Sequence, residues 1–181
     1  MSDRQQLITE LIEYQPFNTI EGAHVSAVID FMRENEDCFE RSNLAGHLTG
    51  SGWIIDDRYT HCLLVHHKKL DRWLQPGGHA DGNQNIQEVA QSEVEEETGL
   101  TNILPVAGIF DVDVHMIPEH KGIPEHYHYD VRYLFITPID TPLIISEESN
   151  DLRWFPLEDL AQLVGEEPSV LRLQEKSLNL L

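Results

Sequence analysis

The chain has 181 residues, 40% of them hydrophobic, and carries 32 acidic against 12 basic side chains for a formal net charge of −20. That length suits one sizeable core rather than two, and the charge excludes the basic footprint that binding a nucleic-acid duplex requires. For a phosphate-bearing substrate the same charge sets up a repulsive field, which divalent cations and local basic groups such as Lys68, Lys69, Arg72, Arg132 and Arg153 would have to offset.

Residues 3–14 place Leu7, Ile8, Leu11 and Ile12 at helical spacing, and residues 23–35 repeat the pattern through Val25, Val28, Ile29 and Met32. Pro16 and Asn18 separate the two helices. So short a segment makes too small a core of its own. Residues 1–44 are therefore expected as a helical extension packed on a domain of residues 45–181. Packing is the preferred role of this extension, with substrate recognition or homodimer formation as alternatives. The segment Met1 to Gln6 lacks the basic and apolar regions of a signal peptide. No apolar run approaches the roughly 20 residues of a membrane span. Cys38 and Cys62 are too few for a disulfide framework. Together these make the cytoplasm the expected location, with no membrane partner.

Strands are expected near 47–56 and 61–67, with Asp56-Asp57 as the turn between them. Residues 71–85 read as a Gly- and Pro-bearing loop leading into a helix that Gly99 ends as a C-cap. Further strands are expected near 103–115 and 127–137, separated by the loop 117–124. A short strand at 152–155 leads to a helix from Leu157, and a last helix begins near Pro168, where proline suits the first turn. Mixed strands with helices at both ends give an α/β sandwich.

The helix before Gly99 puts acids where carbon belongs. Stepping 100° per residue from Glu93, the apolar Ile86, Val89 and Ala90 fall within about 60°, and so do Glu96 and Glu97, while Glu95 points to solvent. Carboxylates spaced i, i+3 and i+4 repel one another, and here they occupy the helix C-terminal turns, against the macrodipole. A hard divalent cation, Mg²⁺ or Mn²⁺, relieves both costs and commonly works on phosphates. The competing reading is a solvated acidic face.

The segment from Gly78 through Glu93-Val94-Glu95-Glu96-Glu97-Thr98-Gly99-Leu100 resembles the Nudix hydrolase box without a gap in register. Gln84 stands at the box's first Glu and Ser92 at its Arg, one negative and one positive group replaced together. Gly46-His47-Leu48-Thr49, Pro76-Gly77-Gly78-His79 and Leu152-Arg153-Trp154-Phe155-Pro156-Leu157 add to the resemblance, the first two pointing to a bacterial subgroup. It implies a Nudix-type α/β/α sandwich with a mixed sheet, here carrying an N-terminal helical extension. The implied activity is hydrolysis of a phosphoanhydride, in a nucleoside diphosphate linked to another moiety or a related diphosphate, with Mg²⁺ or Mn²⁺. It also implies Glu96 and Glu97 as metal ligands, Glu93 as ligand or orienter of the attacking water, and the Gly77 carbonyl completing the coordination. The resemblance further implies a carboxylate six residues before the late Trp154, a place that Glu148 occupies here, with Glu147 its rival.

Two other readings compete with this one. Gln84 and Ser92 alone favour a non-catalytic nucleotide-binding or regulatory module. An isoprenoid diphosphate isomerase needs a reactive thiol, and Cys62 sits in an apolar run. Among the ten histidines, His126 and His128 share one strand face with Asp130 and Arg132, opposite Tyr127, Tyr129, Val131 and Tyr133. That face could contact phosphate or supply a general base, with Arg132 as phosphate clamp. Zinc binding by His126 and His128, joined by His115, is the minor alternative. His79, following the box glycines, either touches a phosphate or fills a turn. Trp53, Trp73, Tyr127 and Tyr129 are candidates to stack a ring, or else are core.

Overall fold

Ser2 and Asn18 start the two N-terminal helices of the computed structural model, which describes residues 2–101, 103–106, 108–165 and 167–180. Helix α1 spans Asp3–Glu13 and α2 spans Thr19–Glu34, each with its capping side chain accepting a first-turn amide. Helix α2 begins before residue 23, where the apolar spacing put it, because the Asn18 Oδ1 takes the Glu21 N–H at 2.9 Å and fixes the first turn there. The remaining elements are β1 (Gly46–Asp56), β2 (His61–His67), β3 (Arg72–Leu74), β4 (Gly77–His79), α3 (Ile86–Thr98), β5 (Asp111–Ile117), β6 (His126–Thr137), β7 (Ser149–Pro156), a 3₁₀ turn at Leu157–Asp159, α4 (Leu160–Val164) and α5 (Pro168–Leu178). The class is α/β, a mixed sheet with flanking helices, as the sequence pattern implies. No described helix is long and apolar enough to cross a membrane.

The chain divides into two compact units. The first comprises Met1–Ser51, Gly77–Ala90 and Gly108–Tyr133. Its helices bury Leu7, Ile8 and Leu11 of α1 and Val25, Val28, Phe31 and Met32 of α2. Helix α2 packs on β5, and a buried carboxylate holds the two together. Glu21 accepts the Phe17 amide at 2.6 Å and the Val112 amide at 3.1 Å, and the Tyr14 hydroxyl lies 2.6 Å from it. Strands β5 and β6 run antiparallel, pairing His115 with His128, Asp113 with Asp130 and Asp111 with Arg132. Strand β4 pairs with the start of β1, matching Thr49 to His79 and Ser51 to Gly77.

The second unit comprises Gly52–Pro76, Gln91–Ala107 and Leu134–Leu181. Strand β7 runs along the whole of β2, while β1 and β3 take β2's other edge at its two ends. Trp53, Ile54, Ile55, Leu63, Leu64 and Phe135 are fully buried here, and the Trp53 indole donates to Ser177 Oγ at 2.8 Å. The turn after β1 is built on Asp56, whose Oδ1 accepts the Thr60 and His61 amides at 2.6 and 2.7 Å.

Two expectations are corrected. The described residues of 103–110 are not strand apart from one bridge between Pro105 and Phe135, because Pro105 has no N–H to donate and Gly108 takes a φ of 62°. The segment 71–85, read as loop, contains β3 and β4, each three residues long and so too short to leave an alternation. Both cysteines are free and buried. Burial pushes the Cys38 thiol up to about 11 and raises Cys62 further, so neither is a reactive thiol of the kind an isomerase would use.

Candidate active site

Asn85 caps α3, its Oδ1 accepting the Glu88 amide at 3.2 Å. The helix buries Ile86, Val89, Ala90, Val94 and Thr98, and Gly99 ends it with a φ of 73°. Over the last two turns the buried line runs through Val94 and Thr98, because Val94 lies against the Gly52 backbone of β1. This shifts the acids relative to the helical-wheel expectation. Glu93 and Glu97 are half-buried, as expected of residues at the apolar margin, but Glu96 is exposed. Glu95, expected in solvent, is half-buried with the Gln91 amide donating to it at 3.2 Å. Gln84 and Ser92, the two box departures, are both exposed.

Glu93, Glu96, Glu97 and Glu148 belong to the second unit and Gly77 to the first. Glu148 is an exposed residue of the turn before β7, and its carbonyl accepts the Lys68 amide at 3.1 Å. Lys68 Nζ donates to the Glu147 carbonyl at 2.9 Å, so this lysine ties down the acidic turn. Arg153 is likewise engaged, 2.7 Å from Asp151 with its guanidinium over the Trp73 ring. Of the candidate stacking rings, Trp53 is core, Tyr129 stacks on Phe31 at 4.1 Å, and Tyr127 is 46% exposed.

The first unit carries a polar face that alternates along its strands. At one end lie Asp111 and Asp113 of β5, Asp130 and Arg132 of β6, and Thr49 and Ser51 of β1, the two hydroxyls donating to Asp130 Oδ1 at 2.8 and 2.7 Å. Arg132 is 2% exposed and pairs with Asp130 at 2.7 Å, Asp111 at 3.2 Å and Asp113 at 3.3 Å. Burial opposes its charge, and the three aspartates together hold it protonated. The sequence reading of Arg132 as a phosphate clamp is therefore corrected: its guanidinium is buried and committed to carboxylates.

At the other end of this face sit His47, His79, His115, His126 and His128. The His47 ring centroid is 5.0 Å from those of His79 and His126 and 4.9 Å from that of His128. Ligand atoms of His47, His126 and His128 all lie within 4.8 Å of one another. Burial, then the charges of His79 and His126, lowers His47 to about 4, with the Asn43 backbone opposing more weakly. His128 is lowered to about 2, by burial first and then by its histidine neighbours. His79 is also lowered, by burial and then by Arg41. Near neutrality these three are uncharged imidazoles, which bring no positive charge to a phosphate. Sequence reading found His79, His126, His128 and His115 but not His47. The available signal was the alternation His47-x-Thr49-x-Ser51, which puts three polar side chains on one face of an otherwise apolar strand.

A family model described as the NUDIX domain matches residues 47–174. Among solved structures, the chain is similar to the MutT protein from Methanosarcina mazei Go1, with 17% identity, a TM-score of 0.61, and coverage of 74% of this chain and 94% of that one. It is similar to an Ap4A hydrolase from C. elegans at 19% identity and a TM-score of 0.58, covering 71% and 93% of the two chains. The Nudix domain of Shewanella oneidensis NrtR, complexed with ADP ribose, gives 18% identity and a TM-score of 0.55 over 73% and 86%. No curated protein sequence matches the chain. At these identities the structural likenesses speak for the fold, and the domain match, covering well over half the chain, gives the family. The chain belongs to the Nudix family. Membership of that family gives its enzyme class, a Nudix-type pyrophosphohydrolase.

Proposed function

We propose that the protein is a Mg²⁺- or Mn²⁺-dependent hydrolase that cleaves a phosphoanhydride in a nucleoside diphosphate linked to another moiety, or in a related diphosphate. The observation that carries this is the acidic end of α3. Glu93 and Glu97 are held half-buried beside Val94, and Glu96 is exposed, at the helix end where the macrodipole disfavours anions. Helix stability offers no reason for that placement, and a bound cation does.

The donor chemistry fits the ion. The carboxylates of Glu93, Glu96, Glu97 and Glu148 and the Gly77 carbonyl are hard oxygen donors, the kind both ions take. At Gly77 a Cβ would overlap the Ser51 side chain and come within 3.1 Å of the Ser51 Cα, so the residue keeps its backbone bare. When bound, the ion activates water and neutralises charge on the phosphoryl oxygens. The chain's own groups do the rest. Glu96 and Glu97 hold the ion, Glu93 orients the water, and Glu148 adds a carboxylate from the turn before β7. Tyr127, the exposed ring, is available to a base or sugar, and the nucleotide-linked names of solved relatives favour such a substrate. Residues 1–44 are proposed as an extension to a hydrolase domain of residues 45–181, a reading that the Glu21 clip between α2 and β5 supports.

The test is substitution with the fold monitored. Glu96→Gln and Glu97→Gln should each lower kcat by roughly 10²-fold or more, with urea midpoints unchanged for Glu96→Gln, whose side chain is exposed. Full activity in both variants would overturn the ligand assignment.

A further inference from the structure

The histidine end of the polar face makes a second site of a different chemistry, independent of the α3 carboxylates. His47 is 3% exposed, and neither of its ring nitrogens makes a hydrogen bond of normal geometry, the Asn43 backbone acting on it only weakly; His128 Nε2 is buried and also unpartnered. A buried donor or acceptor left unmade costs about 1–3 kcal/mol, so three such nitrogens in one cluster are an expense that close packing of rings does not repay. Four strands contribute to the cluster: β1 through His47, β4 through His79, β5 through His115 and β6 through His126 and His128.

The second layer of contacts is that of a ligand set. His126 Nδ1 lies 2.8 Å from the Pro124 carbonyl, which accepts its proton and leaves Nε2 with a lone pair. His115 Nδ1 lies 3.1 Å from Asp113 Oδ2, within the aspartate network around Arg132. Metal-binding histidines are oriented in this way, one ring nitrogen bonded to a carbonyl or carboxylate and the other bound to the ion. In a tetrahedral site with bonds of about 2.0–2.1 Å, the ligand nitrogens stand about 3.3 Å apart. The donor atoms of His47, His126 and His128 already lie within 4.8 Å of one another, so small side-chain rotations close the remaining gap. Imidazole donors without carboxylates select zinc and its late first-row neighbours over Mg²⁺ or Mn²⁺.

We propose that His47, His126 and His128 form a Zn²⁺ site, with His79 as the fourth donor. The His79 ring centroid is 5.0 Å from that of His47 and 5.0 Å from that of His128, which places its ring beside the triad.

The experiment is competition of the metal-free full-length protein against a chromophoric chelator for Zn²⁺, in excess Mg²⁺ so that oxygen sites are saturated. One equivalent should bind with a dissociation constant below about 10 µM, and Co²⁺ should give the intense visible bands of tetrahedral coordination. His126→Ala, at a half-buried position, and His128→Gln, which keeps most of the volume, should each weaken binding by about 10²-fold or more and abolish the Co²⁺ bands. Glu97→Gln should leave both readouts unchanged, which separates this site from the proposed catalytic one. Binding weaker than about 10 µM in the folded protein, or binding that both histidine variants retain, would overturn the proposal.

Discussion

Replacing Arg132 with methionine removes the cation that faces Asp111, Asp113 and Asp130 at 3.2, 3.3 and 2.7 Å. The arginine is 2% exposed and the three aspartates are buried, so solvent cannot take over its role. Replacing a whole buried ion cluster with apolar groups can be neutral, but removing one partner leaves charge uncompensated and costs about 3–5 kcal/mol. At a urea dependence of about 2 kcal/mol per molar, the unfolding midpoint should fall by roughly 2 M. Arg132→Lys should recover part of that loss, since an ammonium keeps the charge but cannot reach three carboxylates as a planar fork does. Urea unfolding followed by circular dichroism, with kcat and KM measured on the folded fraction, separates the possible roles. A midpoint shift worth less than about 1 kcal/mol, together with a large rise in KM, would refute the structural assignment and restore Arg132 as a substrate contact.

Two further predictions concern the second unit. At Gly52 a Cβ would overlap the Val94 methyl and stand 3.0 Å from Phe135, so Gly52→Ala should destabilise by about 1–3 kcal/mol. Adding Val94→Ala should recover part of this, and strictly additive losses in the double mutant would contradict the packing argument. Burial alone would raise the Asp56 carboxyl, but the His61 and Thr60 amides, the Thr60 hydroxyl and the Arg58 backbone outweigh it and hold the pKa below 3.8. A lowered folded pKa contributes stability that is fully present above the unfolded value and is lost as pH falls through the folded value. Asp56→Asn should therefore cost about 1–2 kcal/mol at pH 7 and progressively less below pH ~4. Urea midpoints at the two pH values check this, and a difference that does not change with pH would sink it.

The acidic helix was legible because its evidence is local. Box spacing, helical period and the Gly99 stop all lie within one segment of the chain, and α3 forms where they say. The finer placement of Glu95 and Glu96 was not legible, since an ideal wheel cannot know that Val94 is drawn onto Gly52, over forty residues away in the chain. The same limit explains Arg132. Period-two alternation put it correctly on a face with Asp130, but the partners that bury it, Asp111 and Asp113, come from the neighbouring strand through a register that spacing does not reveal. It explains His47 as well, which meets His126 and His128 only because β1 and β6 are neighbours in the sheet. The strand expected near 103–115 begins only at Asp111 for a local reason, the missing donor at Pro105 and the turn at Gly108, both visible in the sequence but outweighed by the apolar run around them.

The most direct test of the account is product release from a panel of nucleotide and non-nucleotide diphosphates, with Mg²⁺ or Mn²⁺, after chelation, and with Glu97→Gln. The account predicts cleavage of at least one diphosphate-linked compound that stops on chelation, returns with either ion, and falls by roughly 10²-fold or more in the variant. Cleavage that persists without a divalent ion, or that Glu97→Gln leaves at full rate, would contradict it.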